Sequence, residues 1–476
     1  MKQLHAFPKF DGAMAAASSY AMGYRSAKTN LHAKASAEEL RASFGGPTPE
    51  KGMAGDAVVA ELINAAEPGL VGNTQPGFHA WVMGSSNITG VAADWLTSVW
   101  GQNAGIYQCS PAAAIAEEVA CGWILDILDL PRDASVGVTT GATMAGFIGL
   151  AAARDEVLRR AGYDLGETGL QFAPPVTVYL SEDTHVSNRA ALRFLGFGTN
   201  NIVEIRSDAQ GRLDMEDMAT KLASRQGPMI MIATAGHINS GAFDDFDALA
   251  DLAAEHGAWL HVDAAFGLWA RTSVKYRSLT LGIDRADSWS TDGHKWLQIP
   301  FDAGFAIVKD RDAHRRAMDI SASYLSESPN DGRTATHYNP ELSRRARGFA
   351  VWSVLKALGR SGIEDMVCNH CDCASLLAYK LGQVDGIEVM NDVVLNQVVL
   401  RFDRGGDSVE TDATTEALVQ ALNADGTHFF RTAIWRDNVV MRVSIIGEQT
   451  GPYDMQSLAV KIQTVWQDLL ADQSRA

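Results

Sequence analysis

Two stretches of the chain decide its fold: Leu260-His-Val-Asp-Ala-Ala-Phe266 and, shortly after it, Ser288-Trp-Ser-Thr-Asp-Gly-His-Lys-Trp296. The first is an apolar, strand-like run that ends at Asp263. A carboxylate in that setting is either a helix cap or a functional charge, because an unpaired buried charge is costly. The second stretch contains Lys295 among aromatic and weakly charged residues, where partial desolvation would make its amine nucleophilic.

Lys295 and Asp263 together supply the two groups that pyridoxal phosphate (PLP) chemistry requires. A lysine must form a Schiff base with the cofactor aldehyde, and a carboxylate must keep the pyridine nitrogen protonated so that the ring can accept electrons. Taken alone, Lys295 could be a solvated surface cation and Asp263 a cap. The small residue Ala265 would leave room for a flat ring against the strand.

Short apolar segments alternate with amphipathic ones through the middle of the chain, and this pattern predicts the fold class. Such alternation favours a mostly parallel sheet covered by helices on both faces, with ligands beyond the strand carboxyl ends. The expected strands are residues 176–180, 202–205, 229–234, 259–263 and 305–308, and the expected helices are residues 111–131, 142–160, 189–195 and 245–256.

The remaining sequence predicts helices before this region and a smaller α/β domain after it. We expect an N-terminal helical segment at 1–74, a large PLP-binding domain at 75–340, and a linking helix with a small domain at 341–476. In the last region the expected helices are residues 341–358, 362–381 and 453–470, and the expected strands are residues 398–402 and 439–444.

The bulk composition limits the class of partner and the compartment. The formal net charge of −17 disfavours nucleic acid and anionic membrane surfaces as partners. Five cysteines do not form a disulfide framework and fit a reducing compartment. The sequence contains no membrane-length apolar run and no export signal at its first residues, so we expect a cytoplasmic protein.

Two further segments carry candidate cofactor contacts. Thr139-Thr-Gly-Ala-Thr-Met-Ala-Gly146 opens a helix whose free amides could hold a phosphate, with Gly141 allowing close approach and Thr143 adding a hydroxyl; a simple capped helix is the alternative. His185 follows a predicted strand and could stack on a cofactor ring or exchange protons, although a lone histidine is more often structural.

Cys368-Asn-His-Cys-Asp-Cys373 has some of the ligand types of a zinc site. Structural zinc sites use four ligands from spaced pairs, and the apolar residues around this segment recur at helical spacing. We therefore interpret it as a packed helix and expect no metal.

Five motifs, in order along the chain, resemble the PLP-dependent group II amino-acid decarboxylases, relatives of aromatic-L-amino-acid and glutamate decarboxylases. The motifs are Thr140-Gly-Ala-Thr143, Glu182-Asp-Thr-His185, Leu260-His-Val-Asp-Ala-Ala265, Asp292-Gly-His-Lys295 and Leu342-Ser-Arg-Arg-Ala-Arg347. The resemblance implies a type I PLP (aspartate aminotransferase-like) fold, with a mostly parallel seven-stranded sheet in the large domain and a small C-terminal α/β domain. It also implies a homodimer with active sites at the subunit interface.

The resemblance also implies roles for individual residues. Lys295 would hold PLP, Asp263 would pair with the ring nitrogen, and His185 would stack over the ring. The residues implied around the phosphate are Gly141, Ala142, Thr143, Asp292 and His294. The residues implied in the substrate pocket, partly from the partner subunit, are Phe78, Trp81, Trp100, Gln102 and Asn103.

Two departures from the family pattern bear on the reaction. Family members often have a Gly-Thr-Thr turn where this chain has Gly236-His-Ile-Asn239, so a hydroxyl near the cofactor is replaced. The aromatic-amino-acid branch has a catalytic tyrosine in a loop, but the matching loop at residues 326–336 has none, and only Tyr324 and Tyr338 flank it. The proton donor is therefore open between His185, the loop at 326–336 and a flanking tyrosine.

The favoured function is decarboxylation of an L-amino acid to its amine and carbon dioxide. Aromatic substrates rank slightly above acidic or other ones. The alternatives on the same fold are a decarboxylation-dependent aldehyde synthase and an aminotransferase, and a PLP-binding protein without turnover is a further alternative.

Overall fold

The computed structural model describes residues 10–27, 30–320 and 332–473. Tyr324 and residues 326–331 of the loop considered above lie outside the described residues. No helix in the described part of the chain is both long and apolar enough to cross a membrane.

A seven-stranded sheet forms the centre of the larger part of the molecule. Its strands are β1 (Ser135–Thr139), β2 (Thr177–Ser181), β3 (Ile202–Ile205), β4 (Met229–Thr234), β5 (Trp259–Asp263), β6 (Ser288–Asp292) and β7 (Gly304–Val308). The order across the sheet is β1-β7-β6-β5-β4-β2-β3, and β7 runs antiparallel to both of its neighbours while the other pairs are parallel. The predicted mostly parallel seven-stranded sheet is confirmed.

Helices precede the sheet and connect its strands. They are α1 (Phe10–Ser26), α2 (Ala37–Phe44), α3 (Gly55–Ala66), α4 (Ile88–Trp100), α5 (Pro111–Ile127), α6 (Ala142–Arg160), α7 (Leu165–Thr168), α8 (Val186–Phe194), α9 (Met215–Ala223), α10 (Phe246–His256) and α11 (Arg311–Met318). Ser110 caps α5 through its side chain, as the Ser-Pro pair predicts.

A second, smaller sheet lies in the C-terminal part of the chain. Its four antiparallel strands are β8 (Ile387–Val389), β9 (Gln397–Phe402), β10 (Arg431–Trp435) and β11 (Asn438–Ser444), in the order β10-β11-β9-β8. The helices of this part are α12 (Gly348–Leu381), α13 (Ser408–Asn423) and α14 (Pro452–Gln473). The presence of a small α/β domain is confirmed, and the exact domain boundaries stay a prediction.

The predicted start of the linking helix at residue 341 is wrong, because α12 begins at Gly348. The backbone of Arg344 is instead held by tertiary contacts: its N–H donates to Asn103 Oδ1 at 3.1 Å and its carbonyl accepts from the Ala104 N–H at 3.0 Å. The two helices predicted at 341–358 and 362–381 are one helix with a kink at Gly359, where φ is 63°.

The Cys368-to-Cys373 segment lies within α12, with His370 buried and Asp372 exposed. Cys371 and Cys373 are buried. Trp296 Nε1 donates a hydrogen bond to Nδ1 of the buried His370. The other ring nitrogen of His370, Nε2, lies 2.9 Å from the Gly447 carbonyl oxygen. This segment packs the linking helix against the residue that follows Lys295.

Candidate active site

The N-terminus of α6 meets the end of β6 and forms a compact polar corner. The Ala142 N–H donates to Asp292 Oδ1 at 2.6 Å, and His294 Nε2 lies 3.3 Å from the same oxygen. A Cβ at position 141 would lie 2.9 Å from His294 Cε1 and 3.1 Å from Asp292 Oδ1, so a larger residue there would displace one of these side chains. Gly141 also provides no side-chain cap, and Thr143 is exposed in the first turn.

Lys295 projects from the loop after β6 toward the same corner. Its Nζ lies 3.2 Å from Asp292 Oδ2 and 6.0 Å from the centroid of the Phe266 ring. The side chain is partly buried, with 22% of it exposed. The amine therefore contacts one carboxylate and lies near one aromatic ring, and the partial exposure of the side chain leaves it accessible to a ligand.

Asp263 ends β5 with its side chain buried. Its Oδ2 accepts a 2.7 Å hydrogen bond from Asn188 Nδ2, and its Oδ1 accepts from the Ala265 N–H at 3.3 Å. Asp263 forms no ion pair within the described residues. A buried carboxylate with two hydrogen bonds and no cation is suited to a positively charged ligand atom.

His185 is the N-cap of α8, which begins one residue later. Its Nδ1 lies 2.7 Å from Ser187 Oγ and accepts from the Ser187 N–H at 3.3 Å. Surrounding protein lowers the pKa of His185 by desolvation, and the positive charges of Lys295 and Arg442 add to that effect while Asp263 opposes it. His185 as a whole is exposed.

One pocket brings together the side chains predicted to carry the chemistry. His185, Asp263, Ala265 and Lys295 all line it. The other lining residues are Val82, Asp183, Thr234, Gly236, His237, Ile238 and Phe266. The corner formed by Gly141, Ala142, Asp292 and His294 adjoins this pocket through the ion pair between Asp292 and Lys295.

The predicted substrate residues near the start of the large domain lie outside this pocket within one chain. Phe78 is buried and stacks on Phe429 with ring centroids 5.0 Å apart, whereas Trp81 is 47% exposed. Trp100 is 49% exposed and meets Phe349 edge to face.

The two polar residues predicted with Trp100 serve the local backbone. Gln102 Nε2 donates to the Trp100 carbonyl, and Ser110 Oγ donates to Gln102 Oε1 at 2.9 Å. Asn103 Oδ1 accepts from the Gly105 and Arg344 N–H groups at 3.1 Å each. Gln102 and Asn103 therefore contact the backbone and side chains around them rather than the pocket described above.

The structure adds Arg442, a residue beside the pocket that no sequence motif indicates. Its Nη1 donates to the Ile238 carbonyl at 3.2 Å and to Asn239 Oδ1 at 3.1 Å, beside the pocket wall. Burial lowers the pKa of Arg442, and the positive charge of Arg442 contributes to lowering the pKa of His185. An arginine on a strand of the other sheet has no local motif, so only the tertiary fold identifies it.

The residues of this site fit PLP on structural grounds. The buried Asp263 has no cationic partner among the described residues, the N-cap residue Gly141 adds no side-chain hydrogen bond to the amide end of α6, and Lys295 is partly exposed. A pyridinium nitrogen, a phosphate and an aldehyde are the complementary groups.

Comparison with known proteins identifies the family. Residues 38–403, more than half of the chain, match the pyridoxal-dependent decarboxylase conserved domain. The chain belongs to this family. Its members are PLP-dependent lyases, so the expected cofactor and enzyme class are confirmed.

Individual relatives differ in substrate. The chain is 28% identical over 404 residues to an aromatic-L-amino-acid decarboxylase of Bacillus atrophaeus. The match covers 83% of this chain and 82% of that protein. It is also 28% identical over 330 residues to an acidic amino acid decarboxylase of Xenopus tropicalis, covering 67% of this chain and 63% of that protein.

The fold matches solved structures over nearly its whole length. The crystal structure of Oryza sativa TDC with PLP and tryptamine superimposes with a TM-score of 0.90 at 23% identity, covering 98% of this chain and 100% of that chain. The expected type I fold is confirmed.

Proposed function

We propose that this decarboxylase converts an aromatic L-amino acid to its amine and carbon dioxide. The observation that carries the proposal is the convergence of Lys295, Asp263 and His185 on one pocket. When bound, PLP supplies an electron sink for the pair of electrons that the departing carboxylate leaves behind. The rest of the chemistry depends on how the side chains of this chain bind and orient the substrate and move protons.

Lys295 is the residue that holds the cofactor covalently, and Asp263 is its charge partner. Asn188 fixes the Asp263 carboxylate at 2.7 Å, so the charge is already oriented before a ligand binds. Asp292 Oδ2 lies 3.2 Å from the Lys295 amine and orients it. Gly141, Ala142, Thr143 and His294 form the phosphate end of the site.

Arg442 is the anchor for the substrate carboxylate. Its guanidinium is partly buried and only Nη1 is used in hydrogen bonds to the described residues, which leaves donors for a ligand. Planar guanidinium groups bind carboxylates through paired hydrogen bonds. A carboxylate held there would lie near His185, whose neutral imidazole can exchange a proton with the substrate carbon.

The aromatic preference rests on apolar and aromatic side chains around the site. Val82, Ile238 and Phe266 line the pocket itself. Trp81 and Trp100 are large aromatics that one chain leaves about half exposed.

A second copy of the chain would bring Trp81 or Trp100 toward the pocket. Leu96 and Val99 on α4, at 48% and 50% exposed, extend the apolar surface next to Trp100. We therefore propose a homodimer with its active sites at the interface, and sedimentation equilibrium at several protein concentrations measures it. We also propose a cytoplasmic location, which the five unpaired cysteines support.

The test of the proposed function is release of carbon dioxide and amine by Lys295 and Arg442 variants. Lys295→Ala should abolish both products, whereas the matched control Lys309→Ala should leave them unchanged. Arg442→Lys should raise KM more than it lowers kcat, because a point charge replaces a planar pair of donors. Amine formation by Lys295→Ala at the wild-type rate contradicts the proposal.

A further inference from the structure

His237 is a second histidine in the wall of the pocket that also contains Lys295. It is buried, with 5% of its surface exposed, and its ring packs against Gly211 and Trp435. A Cβ at Gly211 would lie 2.9–3.0 Å from three atoms of the imidazole, so the face of the ring rests on the glycine backbone. The Trp435 ring centroid is 6.2 Å away. The orientation of this side chain is therefore fixed by packing.

The hydrogen bonds of His237 settle which ring nitrogen carries the proton. Nδ1 accepts from the N–H groups of Asn239 at 3.3 Å and Ser240 at 3.4 Å. The Ser240 hydroxyl donates its proton to the Gln210 carbonyl at 2.5 Å and does not need Nδ1 as an acceptor. Two N–H groups directed at Nδ1 require a lone pair there, so the proton of the neutral ring is on Nε2.

His237 is neutral at physiological pH. Burial lowers its pKa to about 4, and the charges of Arg436 and Arg442 act in the same direction, while Asp183 and Asp208 oppose them. The Nε2–H group makes no hydrogen bond to a residue in the described parts of the chain. A nearly buried donor without a protein partner, in the wall of a ligand pocket, is directed to a ligand acceptor.

The order of the strands indicates which acceptor that is. The phosphate corner lies at α6 and the end of β6, Asp263 ends β5, and His237 follows β4, the next strand across the sheet. On the PLP ring, the phosphate-bearing arm and the phenolic oxygen flank the aldehyde carbon on opposite sides. With the phosphate at α6 and the ring nitrogen at Asp263, the phenolic oxygen faces the β4 side, where His237 lies.

We propose that His237 donates a hydrogen bond from Nε2 to the phenolic oxygen of the cofactor and thereby sets how tightly the linkage between Lys295 and the cofactor holds its proton. The inference rests on the proposed role of Lys295. A donor at the phenolic oxygen withdraws negative charge from it, and that charge would otherwise stabilise the proton of the linkage. The Gly236-His-Ile-Asn239 turn, which departs from the family pattern, then has a chemical role of its own.

The test is the visible absorption of the PLP-loaded enzyme as a function of pH, which reports the proton of the linkage without turnover. The informative variant is His237→Asn, because its side-chain oxygen takes the position of Nδ1 and keeps the two backbone amides satisfied, while the Nε2 donor is lost. We expect the midpoint of the titration to rise by about one pH unit, about tenfold in proton affinity. The charged and titratable groups that face the site, and that the variant leaves in place, are Asp183, His185, Asp208, Asp263, Asp292, His294, Arg436 and Arg442.

Two further variants complete the experiment. His237→Gln, whose amide can reach the Nε2 position, should return the midpoint close to the wild-type value, and His256→Asn is the matched control for the substitution itself. Thermal unfolding checks that each variant is folded. An unchanged midpoint in folded His237→Asn overturns the inference, as does a His237→Gln midpoint equal to that of His237→Asn. An unchanged midpoint with a raised KM would assign the donor to the substrate instead. Absence of amine from a wild-type enzyme that binds PLP contradicts the proposed function and leaves this spectral result standing.

Discussion

Arg436 donates a 2.8 Å hydrogen bond from Nη2 to Asp183 Oδ2, and this contact joins the smaller sheet to the loop that carries His185. The same Nη2 also donates to Ser207 Oγ at 2.9 Å, and that hydroxyl donates to Asp183 at 2.6 Å. Arg436 is in the turn between β10 and β11 with a left-handed φ of 52°. Backbone strain of this kind at a non-glycine residue is retained where surrounding contacts stabilise it.

Loss of the Arg436 contact should reduce turnover without unfolding the protein. Arg436→Ala leaves Asp183, which lines the pocket, without its cationic partner, so the loop before His185 loses a restraint. A hydrogen bond to a charged group is worth about 1.5–3 kcal/mol, and we expect kcat to fall by about tenfold or more with a smaller change in KM. Steady-state kinetics measure this effect. Arg404→Ala, whose side chain contacts Thr414 in the same domain, is the control, and an equal loss in both variants would contradict the interpretation.

The hydrogen bond from Asn188 should be needed to stabilise the charged form of Asp263. Asn188→Ala removes the 2.7 Å hydrogen bond to a buried carboxylate and leaves that oxygen unsatisfied. We expect kcat/KM to fall by about tenfold to a hundredfold, from the same range of hydrogen-bond energies. Asn188→Asp should be worse, because it sets a second negative charge beside the first. Wild-type kcat/KM in Asn188→Ala would show that the Asp263 carboxylate needs no such support.

A methyl group at position 141 should weaken cofactor binding. The added Cβ of Gly141→Ala would lie 2.9 Å from His294 Cε1, so the corner at the start of α6 must open. We expect the Kd for PLP to rise by about tenfold, roughly 1.4 kcal/mol. Quenching of tryptophan fluorescence by added PLP measures it. Gly198→Ala is the matched control, since a Cβ there meets nothing within 4 Å, and equal affinities in the two variants would contradict the assigned phosphate corner.

Stability should fall as the pH is lowered below about 6.5. Burial lowers the pKa of His79 and His314 to about 3 and that of His370 to about 4. In the unfolded chain these histidines have the ordinary histidine pKa of about 6.5. Each therefore stabilises the folded protein above that pH, and this contribution is lost as the pH falls toward the pKa of the folded state.

The slope of that loss is about 1.4 kcal/mol per pH unit for each histidine within the window. Urea unfolding between pH 7 and pH 4 measures it. His370→Gln can keep a hydrogen bond to Trp296 or to the Gly447 carbonyl and should show a shallower dependence. A wild-type free energy of unfolding that does not change over this window would contradict the account.

Local sequence patterns predicted the buried strands well, because the spacing of the apolar residues and the residue composition both indicate strands there. The bounds of β4 and β5 match the predictions at 229–234 and 259–263, and α6 matches 142–160. By contrast, β1 and β6 were not predicted. β6 reads Ser288-Trp-Ser-Thr-Asp292, and its polar side chains are satisfied by tertiary hydrogen bonds such as Trp259 Nε1 to Ser288 Oγ at 2.8 Å.

Tertiary contacts also explain the wrong helix start before α12. Arg344 belongs to a helix-prone run, but Glu117 binds its guanidinium at 2.8 Å and Asn103 binds its backbone. Arg442 and Arg436 could not be predicted as site residues for the same reason, since their partners are more than 200 residues away in the chain. Motifs next to strand ends are visible in a sequence, whereas contacts between the two sheets are not.

The most direct test of the central claim is mass spectrometry of the purified, PLP-loaded enzyme after incubation in air with the pooled L-amino acids. We expect one aromatic amino acid to disappear and an amine lighter by one carbon dioxide to accumulate, with no product from Lys295→Ala. A keto acid, an aldehyde with peroxide, or an unchanged pool would contradict the claim that this chain is an amino-acid decarboxylase acting through Lys295.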